Sequence, residues 1–165
     1  MKRLIFFLIP FLFCTLQAQD LKLLKGDFEV EGRAAFDQRE LAGEFRFGAF
    51  VRDYVQIGID LTYSDTDRLN RFSLGTYFLW MFETNTYFLP YAGSGLSLSS
   101  LDVDGGVSDS GLDFFLFAGL KYYVADNVSL NTEVKVSYST AETFFDDDEV
   151  TNSDYGLRIG LSYYW

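Results

Sequence analysis

Two pairs of charged residues, each with at least one carboxylate, come closest in type and spacing to a catalytic arrangement. Glu29 and Glu31, and likewise Glu44 and Arg46, are two positions apart, which places both members on one face of a β-strand. The 165-residue chain has no histidine, so it lacks the usual general base at neutral pH and the commonest metal ligand. We therefore interpret these residues as structural ion pairs and predict no enzyme activity, no catalytic residue and no cofactor. Catalysis by carboxylates alone is the alternative that the residues leave open.

Two acidic segments invite comparison with cation sites. Asp102-Val103-Asp104-Gly105-Gly106 resembles part of a calcium loop. An EF-hand loop needs glycine at its sixth position and glutamate at its twelfth, and neither requirement is met, so we predict no metal site there. The second segment lies in the longest and most acidic connection of the chain and consists of Asp146, Asp147, Asp148 and Glu149. We interpret this acidic loop as a solvated loop tip.

The elements that must position these residues are β-strands, because no segment after residue 20 has helical periodicity and segments of period two recur. The length of each segment is near the ~9–11 residues that a membrane-spanning strand needs. The eight segments lie at about residues 26–36, 41–51, 55–63, 71–80, 87–98, 112–124, 128–139 and 155–165. Apart from the first connection, short turns alternate with longer loops. In the fifth segment, Gly93 and Gly95 predict a bulge that shifts the alternation.

One face of these segments carries small and charged residues in electrical balance. Its charged residues are Glu29, Glu31, Arg33, Glu44, Arg46, Asp60, Arg71, Asp113, Lys121, Glu133, Lys135 and Arg158. This face thus carries six acids and six bases, although the whole chain has a net charge of −11. A cramped interior requires such balance because unpaired buried charge is costly, whereas a solvated wall does not. We predict that this face points into a barrel that has room only for side chains.

The opposite face is apolar and has aromatic residues near the strand ends. These candidates for girdles at two lipid–water boundaries are Phe36, Tyr63, Trp80, Tyr87, Tyr138, Tyr155 and Trp165. The predicted fold is therefore all-β, a closed antiparallel eight-stranded up-and-down transmembrane β-barrel. A soluble barrel with the apolar face inward around a ligand is the alternative that alternation alone allows.

The N-terminus has the composition of a secretory signal peptide. Lys2 and Arg3 precede ten apolar residues, and Ala18 is a plausible last residue before cleavage. We predict a leader at residues 1–18 and one domain at residues 19–165. Cys14, the only cysteine, would leave with the leader. The remaining chain would have 11 basic and 24 acidic residues, a net charge of −13, which argues against nucleic acid as a partner.

The C-terminus resembles a known assembly signal. Arg158, Gly160, Tyr163 and Trp165 match the polar-x-Gly-x-x-aromatic-x-aromatic ending by which the outer-membrane assembly machinery recognises barrels. The stretch Pro90-Tyr91-Ala92-Gly93-Ser94-Gly95 also resembles small outer-membrane barrels. The chain is similar to the outer-membrane β-barrel domain family that includes OmpX, OmpW and opacity-like proteins. The resemblance implies an outer-membrane location and contact with the assembly machinery. Resembling enzymes that modify lipid A use a histidine, which this chain lacks.

Members of this family share a fold and not one activity, so the functional expectation is coarse. We expect a monomeric integral surface protein with a side-chain-filled lumen, in contact with outer-membrane lipid and lipopolysaccharide. Its role would be envelope integrity or adhesion through acidic loops. The sharper hypothesis for the acidic loop is a divalent-cation-bridged contact with lipopolysaccharide phosphates, or adhesion to a basic partner. The alternatives are a narrow channel for small apolar compounds and a soluble secreted ligand carrier.

Overall fold

The computed structural model describes residues 23–37, 40–66, 69–84, 86–103, 109–146 and 149–165. The predicted leader at residues 1–18 lies outside these ranges, and so do Asp147 and Asp148 of the acidic loop. No helix in the described ranges is long and apolar enough to cross a membrane.

Eight antiparallel strands close into one barrel, which confirms the predicted fold. They join in the order β1-β10-β7-β6-β5-β4-β3-β2, and a separate two-stranded hairpin, β8–β9, interrupts the connection between β7 and β10. The strands are β1 (Phe28–Asp37), β2 (Glu40–Arg52), β3 (Val55–Thr66), β4 (Leu69–Met81), β5 (Phe88–Val103), β6 (Asp109–Ala125), β7 (Val128–Ser139), β8 (Phe144–Asp146), β9 (Glu149–Thr151) and β10 (Ser153–Tyr164). Closure pairs the backbone groups of both edge strands, as lipid requires.

The two rims of the barrel differ. We call the rim that holds the β2–β3, β4–β5 and β6–β7 connections and the end of β10 the turn rim, and the opposite rim, which holds the β8–β9 hairpin, the loop rim. The strands continue further toward the loop rim than the sequence predicts. Asp65 and Asn70 still pair between β3 and β4, although both were expected in a loop. Backbone pairing persists there because it does not need the apolar alternation by which the strands were recognised.

The predicted bulge in β5 is wrong. Pairing runs without a shift from Leu69–Val103 to Met81–Tyr91 on one side of the strand, and it is equally regular on the other side. Gly93 and Gly95 are in register and face inward, where a Cβ atom would collide with the rings of Phe117 and Phe115. These glycines therefore provide space for aromatic rings in the lumen, which is the other common reason for glycine in a strand.

The apolar face points outward and the charged face points inward. Exposed residues of β10 include Leu157, Ile159 and Leu161, while Arg158 and Ser162 on the other face are buried. The same alternation runs along β7, where every second residue is buried. A soluble carrier with an apolar interior, the second alternative from the sequence, does not agree with this orientation.

The C-terminal residue closes the barrel at the turn rim. Phe28 and Trp165 exchange two backbone hydrogen bonds, of 3.0 and 3.2 Å, at the seam between β1 and β10. Their rings stack on the outer wall with centroids 6.0 Å apart. The segment before β1 covers the same rim, because the Leu23 side chain is buried and its carbonyl accepts a hydrogen bond from Tyr54 N–H.

Candidate functional site

The lumen brings together all twelve charged residues that sequence parity assigned to the interior. Eleven are buried, and the twelfth, Arg71, keeps 11% of its side chain accessible. The structure adds Asp154, which is buried and lies 3.8 Å from Arg158. The lumen therefore holds seven described acids and six bases. Sequence reasoning missed Asp154 because the predicted strand began one residue later, although Asp154 shares the parity of Arg158.

Two arginines and two acids form the centre of the lumen. Arg46 donates from Nε to Asp60 at 2.6 Å and from Nη1 to Glu133 at 2.8 Å. Arg33 Nη1 donates to the other oxygen of Glu133 at 2.7 Å. Glu133 also accepts from the Tyr91 hydroxyl at 3.1 Å. These contacts link β1, β2, β3, β5 and β7 across the full width of the barrel.

A second group of polar residues lies nearer the turn rim. The Glu29 carboxylate accepts from Lys121 and from Ser162 through very close contacts, and it accepts from Gln56 Nε2 at 2.9 Å. Asn131 donates to Glu31 at 2.7 Å beside it. Every carboxylate named here has a cationic or amide donor, so none is positioned as a free acid or base.

The third group lies toward the loop rim. Glu44 accepts from Arg158 Nε at 3.2 Å and from Lys135 at 3.4 Å. Asp113 pairs with Arg71 at 3.2 Å and accepts from Ser99 at 2.8 Å. A polar cavity of about 10 Å³ lies between these residues, which is space for about one water molecule.

The β8–β9 hairpin covers this end of the lumen. Phe144 and Thr143 are both buried. The Phe144 ring lies 4.1 Å from the Arg71 guanidinium, and Thr143 accepts a hydrogen bond from Ser99 at 3.2 Å. The sequence had indicated only a loop here, since a three-residue strand gives no detectable period.

Aromatic rings fill the space between the ion pairs, and this is the feature that sequence reasoning missed. The Arg46 guanidinium lies between Tyr77 and Phe117, at 4.9 and 4.3 Å from their ring centres. Lys135 lies 4.4 Å from the ring of Phe115. Phe115 and Phe117 share the strand parity of Asp113 and Lys121, which places them on the charged face. That position was the signal for an aromatic filling of the lumen.

Each of these rings occupies space left by an inward-facing glycine on another strand. A Cβ at Gly58 would lie 2.7 Å from the Tyr77 ring, and one at Gly119 would lie 2.7 Å from the Tyr91 ring. Glycine and ring together fill the volume that two medium side chains would otherwise fill. The interior is therefore packed as a core, with charges embedded in it.

The predicted outer-wall aromatics divide between the two rims, with one exception. Six of them are exposed on the outer wall, namely Phe36, Tyr63, Trp80, Tyr138, Tyr155 and Trp165. The exception is Tyr87, which lies in the β4–β5 connection and packs partly against the buried lumen residues. Its backbone carbonyl accepts from Tyr123 N–H at 3.0 Å.

The four residues of the predicted assembly signal lie on both faces of β10. Arg158 is buried in the lumen, Gly160 faces the same side, and a Cβ there would collide with the Arg33 side chain. Tyr163 and Trp165 stack on the outer wall at 6.0 Å. Their recognition by an assembly machinery stays a prediction.

The structure describes only the backbone of Asp146 and Glu149 in the acidic loop. Asp146 and Glu149 pair at the end of the β8–β9 hairpin. No cluster of acidic or cysteine ligands that could hold a metal ion occurs in the described ranges.

Comparison with known proteins confirms the predicted resemblance. The sequence matches the family described as "Outer membrane protein beta-barrel domain" over residues 11–164. No protein of curated function matches the sequence.

Solved structures share the fold at low identity. The N-terminal β-barrel domain of Pseudomonas aeruginosa OprF has a TM-score of 0.71 at 15% identity, covering 86% of this chain and 98% of that one. Neisserial surface protein A has a TM-score of 0.61 at 20% identity, covering 83% and 94%. The outer membrane enzyme PagL has a TM-score of 0.50 at 11% identity, covering 82% and 98%. One of the proteins that share the fold is therefore an enzyme, so the fold alone does not decide the activity of this chain.

Proposed function

Because this chain belongs to the outer membrane protein beta-barrel domain family and is located in the outer membrane, we propose that it is a non-conducting structural barrel. It contributes to envelope integrity and to surface interaction through its loop rim. The observation that carries this proposal is the lumen, where ion pairs and aromatic rings bridge opposite walls of the barrel.

The charge distribution supports a role for the loops. The described lumen holds seven acids and six bases, so the interior accounts for one unit of the chain's net charge of −11. The remaining acidic excess comes from other positions of the sequence. An acidic loop rim favours basic partners and, with divalent cations, the phosphates of lipopolysaccharide.

Two other functions have less support. A narrow channel for apolar compounds needs a continuous apolar path, but the centre of the lumen is crossed by the buried contacts of Arg33 and Arg46. Enzyme activity needs an acid or base that is free to act. The sequence has no histidine, and the buried carboxylates described above are held by cations and amides.

The experiment that tests the surface role neutralises the acidic loop. A variant carrying D146N, D147N, D148N and E149Q would be expressed in a strain that lacks the wild-type protein. We expect weaker binding of cells to a polycationic surface and a changed sensitivity of the envelope to a chelator. The matched control neutralises a turn-rim acid through D126N. Identical behaviour of the loop variant and the wild type in both assays would overturn the proposed surface role.

A further inference from the structure

Two adjacent hollows on the outer wall share one lining residue, and we call the two together the groove. The belt hollow has a volume of about 730 Å³ and lies over the β2–β5 strands, with Ile57, Thr76 and Ser94 in its lining. The rim hollow has a volume of about 720 Å³ and lies at the turn rim. Phe78 lines both of them. The groove therefore has one part over the middle of the outer wall and a neighbouring part at the turn rim.

Side-chain size explains why the outer wall is concave here. Thr76 is paired with Leu96, and Ser94 is paired with Phe78. These two short side chains face outward among large apolar neighbours, which leaves a depression between the rings of Phe78 and Phe114. A linear apolar chain fits a depression of this kind, and the volume lies within the usual range of ligand sites.

Charged residues border only the turn-rim end of the groove. At that end the floor of the groove is apolar and includes Trp80 and Phe82, whose stacked rings have centroids 6.0 Å apart. Arg52, Asp53 and Glu83 complete its lining, and all three are exposed. The groove thus combines one cation and two anions with an apolar path that leads away from them.

The turn that carries these charges is held in place. Tyr54 has a φ of 60°, in the left-handed region, and its carbonyl accepts from Met81 N–H at 2.9 Å. Asp53 accepts from Lys25 N–H at 3.0 Å, and Glu83 accepts from the Tyr54 hydroxyl at 3.4 Å. These contacts hold the Asp53 and Glu83 carboxylates in place before any ligand arrives, which lowers the entropic cost of binding.

We propose that this groove binds one phospholipid of the inner leaflet whose head group carries a free ammonium next to its phosphate, as in phosphatidylethanolamine. Arg52 contacts the phosphate, Asp53 and Glu83 contact the ammonium, and one acyl chain follows the groove past Phe78. The turn rim faces the periplasmic leaflet because short turns lie on that side of outer-membrane barrels. Two acids against one arginine disfavour an anionic head group at the same place.

The test is retention of lipid by the intact barrel. The protein would be reconstituted in nanodiscs of equal parts phosphatidylethanolamine and phosphatidylglycerol, released, and weighed by native mass spectrometry. We expect one retained phosphatidylethanolamine per barrel. The E83Q and R52Q variants should each retain roughly tenfold less, which corresponds to losing one charge-assisted hydrogen bond. The matched control, D126N, removes an exposed acid from a different turn at the same rim and should retain lipid as the wild type does.

Three results would overturn the proposal. They are equal retention of both lipids by the wild type, unchanged retention by E83Q and R52Q, and a dimer in which a second copy occupies the groove. A further comparison needs no variant. Phosphatidylcholine, whose trimethylated amine cannot donate hydrogen bonds, should be retained less than phosphatidylethanolamine, and equal retention of the two would contradict the assigned ammonium contacts.

Discussion

Replacing Arg46 with methionine should strongly destabilise the barrel, because the substitution keeps much of the side-chain volume and removes the charge. Arg46 lies 2.6 Å from Asp60 and 2.8 Å from Glu133, and all three side chains are buried. Without it, the described lumen would hold seven acids and five bases. Removing one partner of a buried ion pair costs about 3–5 kcal/mol.

The remaining contacts place the expected cost at the lower end of that range. Glu133 keeps Arg33 at 2.7 Å, and Asp60 keeps Arg33 at 3.3 Å. The two lost ring contacts, with Tyr77 and Phe117, add about 0.5–2 kcal/mol each. With about 3 kcal/mol for the lost charge, we therefore expect the free energy of unfolding to fall by about 4–7 kcal/mol in total.

A double-mutant cycle in detergent or bilayers separates charge balance from packing. R46M combined with E133Q leaves six acids and five bases, the same excess of one acid as in the wild type. The double variant should be less destabilised than the sum of the single variants by about 1–3 kcal/mol. In detergent without phospholipid, R52M, at an exposed arginine, should change stability by less than about 0.5 kcal/mol. Strict additivity, or equal unfolding midpoints for R46M and R52M, would refute the assigned role of the lumen ion pairs.

Three further predictions concern packing, orientation and the lumen cover. Gly93→Ala should cost about 1–3 kcal/mol of unfolding free energy, because the added Cβ crowds an inner ring. Gly43→Ala should be neutral, because its added Cβ would have its nearest neighbour at 3.9 Å. Equal unfolding midpoints of the two variants would contradict the ring–glycine packing. Leu157→Arg should cost ~2–4 kcal/mol on the lipid face, against about 0–1 kcal/mol for Ser153→Arg near the loop rim; the reverse order in bilayer refolding would contradict the face assignment. Phe144→Ala should open the loop end of the lumen, so a cysteine at Ser97 should react faster with a small thiol reagent, and an unchanged rate would argue against a cover.

Period-two alternation predicted the fold and the contents of the lumen because it depends only on local geometry. Every residue of a strand faces the lumen or the outer wall according to its parity, so Glu133 and Arg46 were both assigned inward. The predicted bounds of β7 agree with the structure. The ends of the other strands were less predictable, because pairing continues through polar residues beyond the apolar belt.

The partners inside the lumen could not be predicted in the same way. Arg46 contacts Phe117 and Glu133, which lie on strands far away in sequence, and only closure of the barrel brings them together. Gly93 and Gly95 show the same limit. A glycine in a strand indicates either a bulge or a close approach, and only the position of Phe117 and Phe115 on the facing wall decides between them.

The ion conductance of the wild-type barrel in a planar lipid bilayer tests the central claim most directly. Insertion would be verified by the faster gel migration of unboiled protein compared with boiled protein. A lumen filled by buried ion pairs and aromatic rings predicts no stable current steps above the bare bilayer across a range of voltages. Reproducible ohmic steps from the inserted wild-type protein would show an open path through the lumen and would contradict the proposal of a non-conducting structural barrel.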